Sequence, residues 1–155
     1  MKHPCQILVE HELGAVNDTQ LIKWACEVLS NDGPLANDPS VVELAGLGPH
    51  VQSDLDLAGG YFRSIIKEHF PDFAFQSSDG IRWARETLRR RCEDYIQRRI
   101  TPYEFCRVVS PVEEHFDYPR WLGDLYNACD WVDGNTKRED VPYLAEEARK
   151  LYDAV

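Results

Sequence analysis

The sequence is poor in the features that announce a chemistry. It has no apolar run near the eighteen or so residues of a membrane span, so a spanning helix is not expected. Its five cysteines, Cys5, Cys26, Cys92, Cys106 and Cys129, include no Cys-x-x-Cys pair, which removes the ribbon-type zinc site and the thioredoxin-type redox site. None of His3, His11, His50, His69 and His115 belongs to a His-Glu-x-x-His or Glu-x-x-His pattern, so helix-borne zinc and di-iron signatures are missing too. There is no Gly-x-Ser-x-Gly elbow, and Gly46-Leu47-Gly48-Pro49 lacks the third glycine and the following Lys-Ser or Lys-Thr of a phosphate loop. Base is scarce: 17 Lys and Arg stand against 27 Asp and Glu, a net charge of −10. Phosphate neutralisation supplies most non-specific nucleic-acid affinity, so a nucleic-acid partner is disfavoured.

What is present is a globular composition, 43% hydrophobic and 28% charged, on a chain of 155 residues. A chain of that size buries roughly 70% of its unfolded surface, enough for a core without disulfides. The expectation is one domain over residues 1–155, cytoplasmic, with free and mostly buried thiols. The N-terminus, Met1-Lys2-His3-Pro4-Cys5, has no apolar stretch of signal-peptide length.

Apolar residues recur at spacings of three and four, which predicts an all-α fold, a compact bundle of about six or seven short to medium helices. Ile7-Leu8-Val9 suggests a short first helix. Asp18 is placed as the N-cap of a helix with Leu21, Ile22, Ala25, Val28 and Leu29 inward, and Pro39 opens a short helix that stops at Gly46. Leu55, Ala58, Phe62, Ile65, Ile66 and His69 continue the pattern to Phe70, where Pro71 ends it, with Gly59 and Gly60 inside it as a place of close helix contact. Ser78 or Asp79 caps the longest helix, with Ile81, Ala84, Leu88, Cys92, Tyr95 and Ile96 inward. Thr101-Pro102-Tyr103-Glu104 is a capping box with proline at the first helical position. Pro119 opens a helix with Trp121, Leu122, Leu125, Tyr126 and Cys129 inward. Asp133-Gly134-Asn135 is a turn, and Asp140 caps a last helix through Leu144, Ala148, Leu151, Tyr152 and Val155, with Glu146 and Lys150 paired four apart.

Charge is uneven. Residues 1–80 carry −8, 81–107 carry +4 and 108–155 carry −6. The basic stretch holds Arg82, Arg85, Arg89, Arg90, Arg91, Arg98 and Arg99 on one helix, and these are expected to pair across to the acidic N- and C-terminal segments. Glu10-His11-Glu12 and Glu113-Glu114-His115 read as solvated faces, because adjacent helical residues point apart. Asp130-x-x-Asp133-Gly134-Asn135 lacks the ligand alternation and closing Glu of a calcium loop and reads as a plain turn. Trp24 lies off the inward stripe of its helix and Trp131 sits at a helix end between aspartates, so both are candidate interface residues.

Three segments, Leu21-Ile22-Lys23-Trp24-Ala25, Val41-Val42-Glu43-Leu44-Ala45-Gly46-Leu47 and Ile100-Thr101-Pro102-Tyr103-Glu104, together resemble a loosely defined set of small, uncharacterised, all-helical bacterial proteins. The resemblance spans about half the chain. It implies a bacterial origin and a role like that of toxin-immunity proteins, and it transfers no catalytic residue.

The leading expectation is therefore a non-enzymatic protein-binding domain that blocks a cationic partner, such as a toxin domain. The partner-binding residues are expected to be Glu113, Glu114, Asp117, Asp124, Asp130, Trp131 and Asp133, with no catalytic residue, metal or cofactor. The alternatives are a small enzyme assembled from distant residues, with His115, Glu114 and Cys106 as its nearest candidates, and an arginine-helix module for an acidic protein or a nucleic acid.

Overall fold

In a computed structural model, which describes residues 1–154, the chain is all-helical, with no strand among the described residues. It divides into two compact units, Met1–Ala74 and Phe75–Val155. No helix among the described residues is long and apolar enough to cross a membrane.

The first unit contains α1 (Pro4–Glu12), α2 (Asp18–Ser30), α3 (Pro39–Ala45) and α4 (Gln52–His69). The cap of α2 falls one residue before the expected Asp18. Asn17 accepts from the Gln20 backbone N–H, and the Gln20 side chain accepts from the Asn17 N–H, a reciprocal box that Asp18 could not form. α2 packs on α3 and α4, α3 on α4, and α1 on α4. Leu21, Ala25, Val41, Leu44, Ala58, Phe62 and Ile65 are fully buried between them.

Trp24 is a correction: only 5% exposed, it packs edge-on against Phe62 with ring centroids 4.9 Å apart. A side chain this large reaches the core from a position off the narrow apolar stripe, which is why periodicity misplaced it. Gly59 does mark a close approach, since a Cβ there would lie 3.4 Å from Cε1 of His11 on α1. Gly60 has open space around it, so contact explains only the first of the pair. The α1–α4 contact is tied by Arg63 Nε donating to Glu12 Oε1 at 2.8 Å.

The second unit contains α5 (Ser78–Ile96), α6 (Pro102–Cys106), α7 (Val109–Phe116), α8 (Leu125–Cys129) and α9 (Pro142–Ala154), with short 3-10 turns at Arg120–Leu122 and Arg138–Asp140. α5 packs on α9 and α6, α8 on α9, and α7 on α8. Its centre is Tyr95, stacked on Phe105 at 4.8 Å and covered by the guanidinium of Arg138, 3.9 Å from the ring centroid. Arg138 Nη2 also donates to the Tyr95 carbonyl oxygen. Burial raises the Tyr95 phenol above its ordinary range, and the nearby Arg138 charge opposes this.

Several boundaries differ from expectation for identifiable reasons. The cap of α5 is Ser77, whose hydroxyl accepts from the Gly80 N–H. The expected helix after Pro119 is split, because Gly123 takes φ +63° and separates the 3-10 turn from α8; Tyr126 then faces outward, 46% exposed. Asp140 caps no long helix: its carboxylate accepts from the Lys137 N–H within the 3-10 turn. Lys150 pairs with Glu147 at 2.9 Å, three residues back, rather than with Glu146. Val155 lies outside the described residues.

The arginines of α5 find partners nearer than expected. Arg82 pairs with Asp79 within α5, whereas Arg98 and Arg99, expected on the same helix, lie beyond its end at Ile96, where Arg98 takes φ 60° and Arg99 pairs back to Asp94. Arg85 donates to the Ala154 carbonyl, and Arg89 lies 4.7 Å from the Tyr152 ring, so these two engage α9 through a carbonyl and an aromatic face.

The expectation of five free thiols is also corrected. Cys106 and Cys129 are joined, with Sγ–Sγ 2.13 Å and Cα–Cα 5.5 Å, because α6 and α8 end side by side although 23 residues separate them in sequence. Closing a loop of that size stabilises a fold by about 3 kcal/mol in the chain-entropy view. Of the other cysteines, Cys5 and Cys92 are buried and Cys26 is exposed. Burial pushes the Cys5 thiol up to about 11 and the Cys92 thiol up to about 12.

Two outcomes follow. Thr101 and Glu104 form the expected reciprocal box, at 3.1 and 2.7 Å, so Thr101→Ala should lower stability by about 1 kcal/mol, read as a shift in denaturant midpoint at constant slope. Native alkylation at pH 8 without reductant should add one label, at Cys26; reductant without denaturant should add labels only at Cys106 and Cys129, as peptide mass mapping would show.

Candidate functional site

The expected partner surface lies in the second unit, on α7, α8 and the turns around them. α7 ends in two consecutive residues in left-handed backbone, Asp117 at φ 54° and Tyr118 at φ 50°. Each such non-glycine residue costs on the order of 1 kcal/mol or more, and strain of this kind concentrates at functional sites. It turns Tyr118 outward, 69% exposed, where its ring meets that of Tyr126 edge-on at 6.3 Å. Beyond α8, Trp131 is 86% exposed.

The expected residues fall into three environments. Glu114, Asp117, Asp124, Asp130 and Asp133 are exposed, and so is Trp131. Asp133 is tied into its own turn, with Oδ1 accepting from the Asn135 N–H at 2.8 Å, which supports the plain-turn reading of that segment. Glu113 does not belong to the open surface. Its Oε1 is buried without a hydrogen-bond partner among the described residues, and desolvation raises its carboxyl above the ordinary range. The structure joins the end of α7 to α8 through Tyr118 and Tyr126, and places Asp117 and Asp124 on the segments that carry those rings. Tyr118 and Tyr126 were missed because a Tyr beside a proline, or at helical spacing, reads as core. Of the alternative enzyme residues, Cys106 is in the disulfide and His115 is stacked on Phe75 at 4.3 Å.

A second arrangement, which no sequence motif marks, lies in the first unit. Asp38 is the N-cap of α3, buried, with Oδ1 accepting from the backbone N–H groups of Ser40 at 2.7 Å and Val41 at 3.1 Å. Its Oδ2 lies 2.5 Å from Nε2 of His69, the last residue of α4. Burial alone would raise the Asp38 carboxyl, but the His69 and backbone hydrogen bonds outweigh it and hold the group below its ordinary value of 3.8. A carboxylate only accepts, so His69 Nε2 carries the proton in this contact. His69 also lines a mostly apolar cavity of about 480 Å³, together with Met1, His3, Val28, Leu35 and Phe70. Asp38 before Pro39 is a readable cap signal, but no local pattern links it to a histidine 31 residues away.

No protein-family model, curated protein or solved structure matches the chain.

The sign of the Asp38 effect is fixed by its lowered folded-state value. Its ionised form contributes stability that is fully present above the unfolded-state value near 4 and is lost as pH falls toward the folded-state value. Asp38→Ala should therefore cost about 2 kcal/mol at pH 7, and the gap to wild type should narrow as pH drops below about 4 in urea titrations.

Proposed function

We propose that the chain is a non-enzymatic protein-binding module that takes a basic protein partner on the acidic, aromatic surface of its second unit. The observation that carries the reading is Trp131, 86% exposed and flanked by the exposed Asp130 and Asp133. A large ring left in water by an otherwise well-buried core is the kind of residue that becomes a binding anchor. Tyr118 and Tyr126 add two more aromatic faces, and Glu114, Asp117 and Asp124 supply negative charge that steers a cationic surface and selects against acidic ones. A toxin domain blocked by an immunity-type protein is one partner of this chemistry. The Cys106–Cys129 bond fits an oxidising compartment better than the cytoplasm expected from the sequence.

The test is capture from the source organism with wild-type and variant baits. Trp131→Ala should leave stability within about 0.5 kcal/mol, since the ring is exposed, yet weaken partner affinity about 30-fold or more. Glu114→Lys with Asp124→Lys should slow association, with the largest effect at low salt, because exposed charges act within about 8 Å at physiological ionic strength. If Arg89→Glu with Arg90→Glu abolishes capture in a folded protein and the acidic reversals change nothing, the arginine helix is the interface and the proposal fails.

A further inference from the structure

We propose that Asp38, Glu68 and His69 in the first unit form a binding site for a divalent transition-metal cation of the zinc class. One ligand atom from each lies within 4.8 Å of the others, a mixed oxygen–nitrogen set of the kind zinc accepts. Asp38 is fixed before any ion arrives: α3 holds its Oδ1 through two backbone N–H groups, which leaves Oδ2 turned to His69. Glu68 and His69 stand in the last turn of α4, where the helix carries partial negative charge. Glu68 is exposed, so its carboxylate can close on an ion without disturbing the core. The surroundings favour a cation, since acids outnumber bases 11 to 4 over residues 1–74.

Zinc bonds of 2.0–2.2 Å set neighbouring ligand atoms about 3.3 Å apart, wider than the 2.5 Å between Asp38 Oδ2 and His69 Nε2. The ion takes the place of the proton between them. The imidazole shifts to its Nδ1–H tautomer by proton exchange with water, with no net proton lost; the hydrogen bond to Oδ2 opens, and Nε2 and Oδ2 become ligands with a Glu68 oxygen as the third. Water completes the four-coordinate shell, which the exposure of Glu68 and His69 permits.

The test uses the full chain carrying Cys26→Ser, which removes the exposed thiol as a competing ligand. Isothermal titration with zinc should give one ion per chain, and cobalt(II) should give the visible absorption of a tetrahedral site. Glu68→Gln and His69→Gln should each weaken zinc binding at least tenfold while keeping the wild-type circular dichroism, and His50→Gln should bind as wild type. No saturable uptake up to millimolar zinc, or uptake unchanged by both Glu68→Gln and His69→Gln, would overturn the assignment and leave the Asp38–His69 pair as a structural hydrogen bond.

Discussion

The first unit depends on one buried carboxylate. Asp38 begins α3, a helix of 7 residues that could not hold its shape alone, and at the same atom group secures the end of α4. A buried charge is tolerable only when its lone pairs are filled, and here two backbone N–H groups and an imidazole fill them. The arrangement fixes the start of α3 against the finish of α4, and Val41 and Leu44 follow from it into the core. Without that anchor the short helix would have only those two fully buried side chains to place it. The second unit solves the same problem with an aromatic ring. Tyr95 is sandwiched by Phe105 and Arg138, so three segments distant in sequence converge on one side chain.

How far the sequence discloses this fold depends on the range over which each signal acts. The Thr101 capping box, the Pro39 start and the Asp133 turn are contained within four residues, and each stands where the spacing puts it. Much of the inward faces of α2, α4 and α5 follows from helical period, but Trp24 on α2 and Trp83 and Thr87 on α5 are buried from outside the expected stripe, and His69 on α4, expected inward, is exposed. The splitting of the helix after Pro119 is decided by the backbone at Gly123, a residue that permits a left-handed turn without requiring one. The Asp38–His69 contact, the Cys106–Cys129 bond and the Tyr118–Tyr126 contact all join residues that meet only after helices have packed, and no period or motif encodes them. The candidate surface was therefore legible as a run of acids but not as an arrangement, and Glu113, inside that run, turned out to point an oxygen inward.

The distribution of charge also looks different once partners are seen. Arg82, Arg85 and Arg89 of α5 engage an aspartate of their own helix, a backbone carbonyl and an aromatic ring. Glu114, Asp117, Asp124 and Asp130 are exposed. The surplus of negative charge is a property of the folded surface and not only of the composition, which is the condition for long-range attraction of a cationic body.

The bond between Cys106 and Cys129 converts the stretch between them into a closed ring that contains α7, the first 3-10 turn and α8. A pull applied to the two ends of the chain runs from α6 to α8 through sulfur and bypasses everything in the ring. Tyr118, Asp117, Asp124 and Tyr126 are thereby relieved of tension even when the helices outside the ring are drawn apart. A single protease cut inside the ring likewise releases no fragment. The two left-handed residues Asp117 and Tyr118 thus sit on a stretch whose continuity is not needed to keep the molecule in one piece.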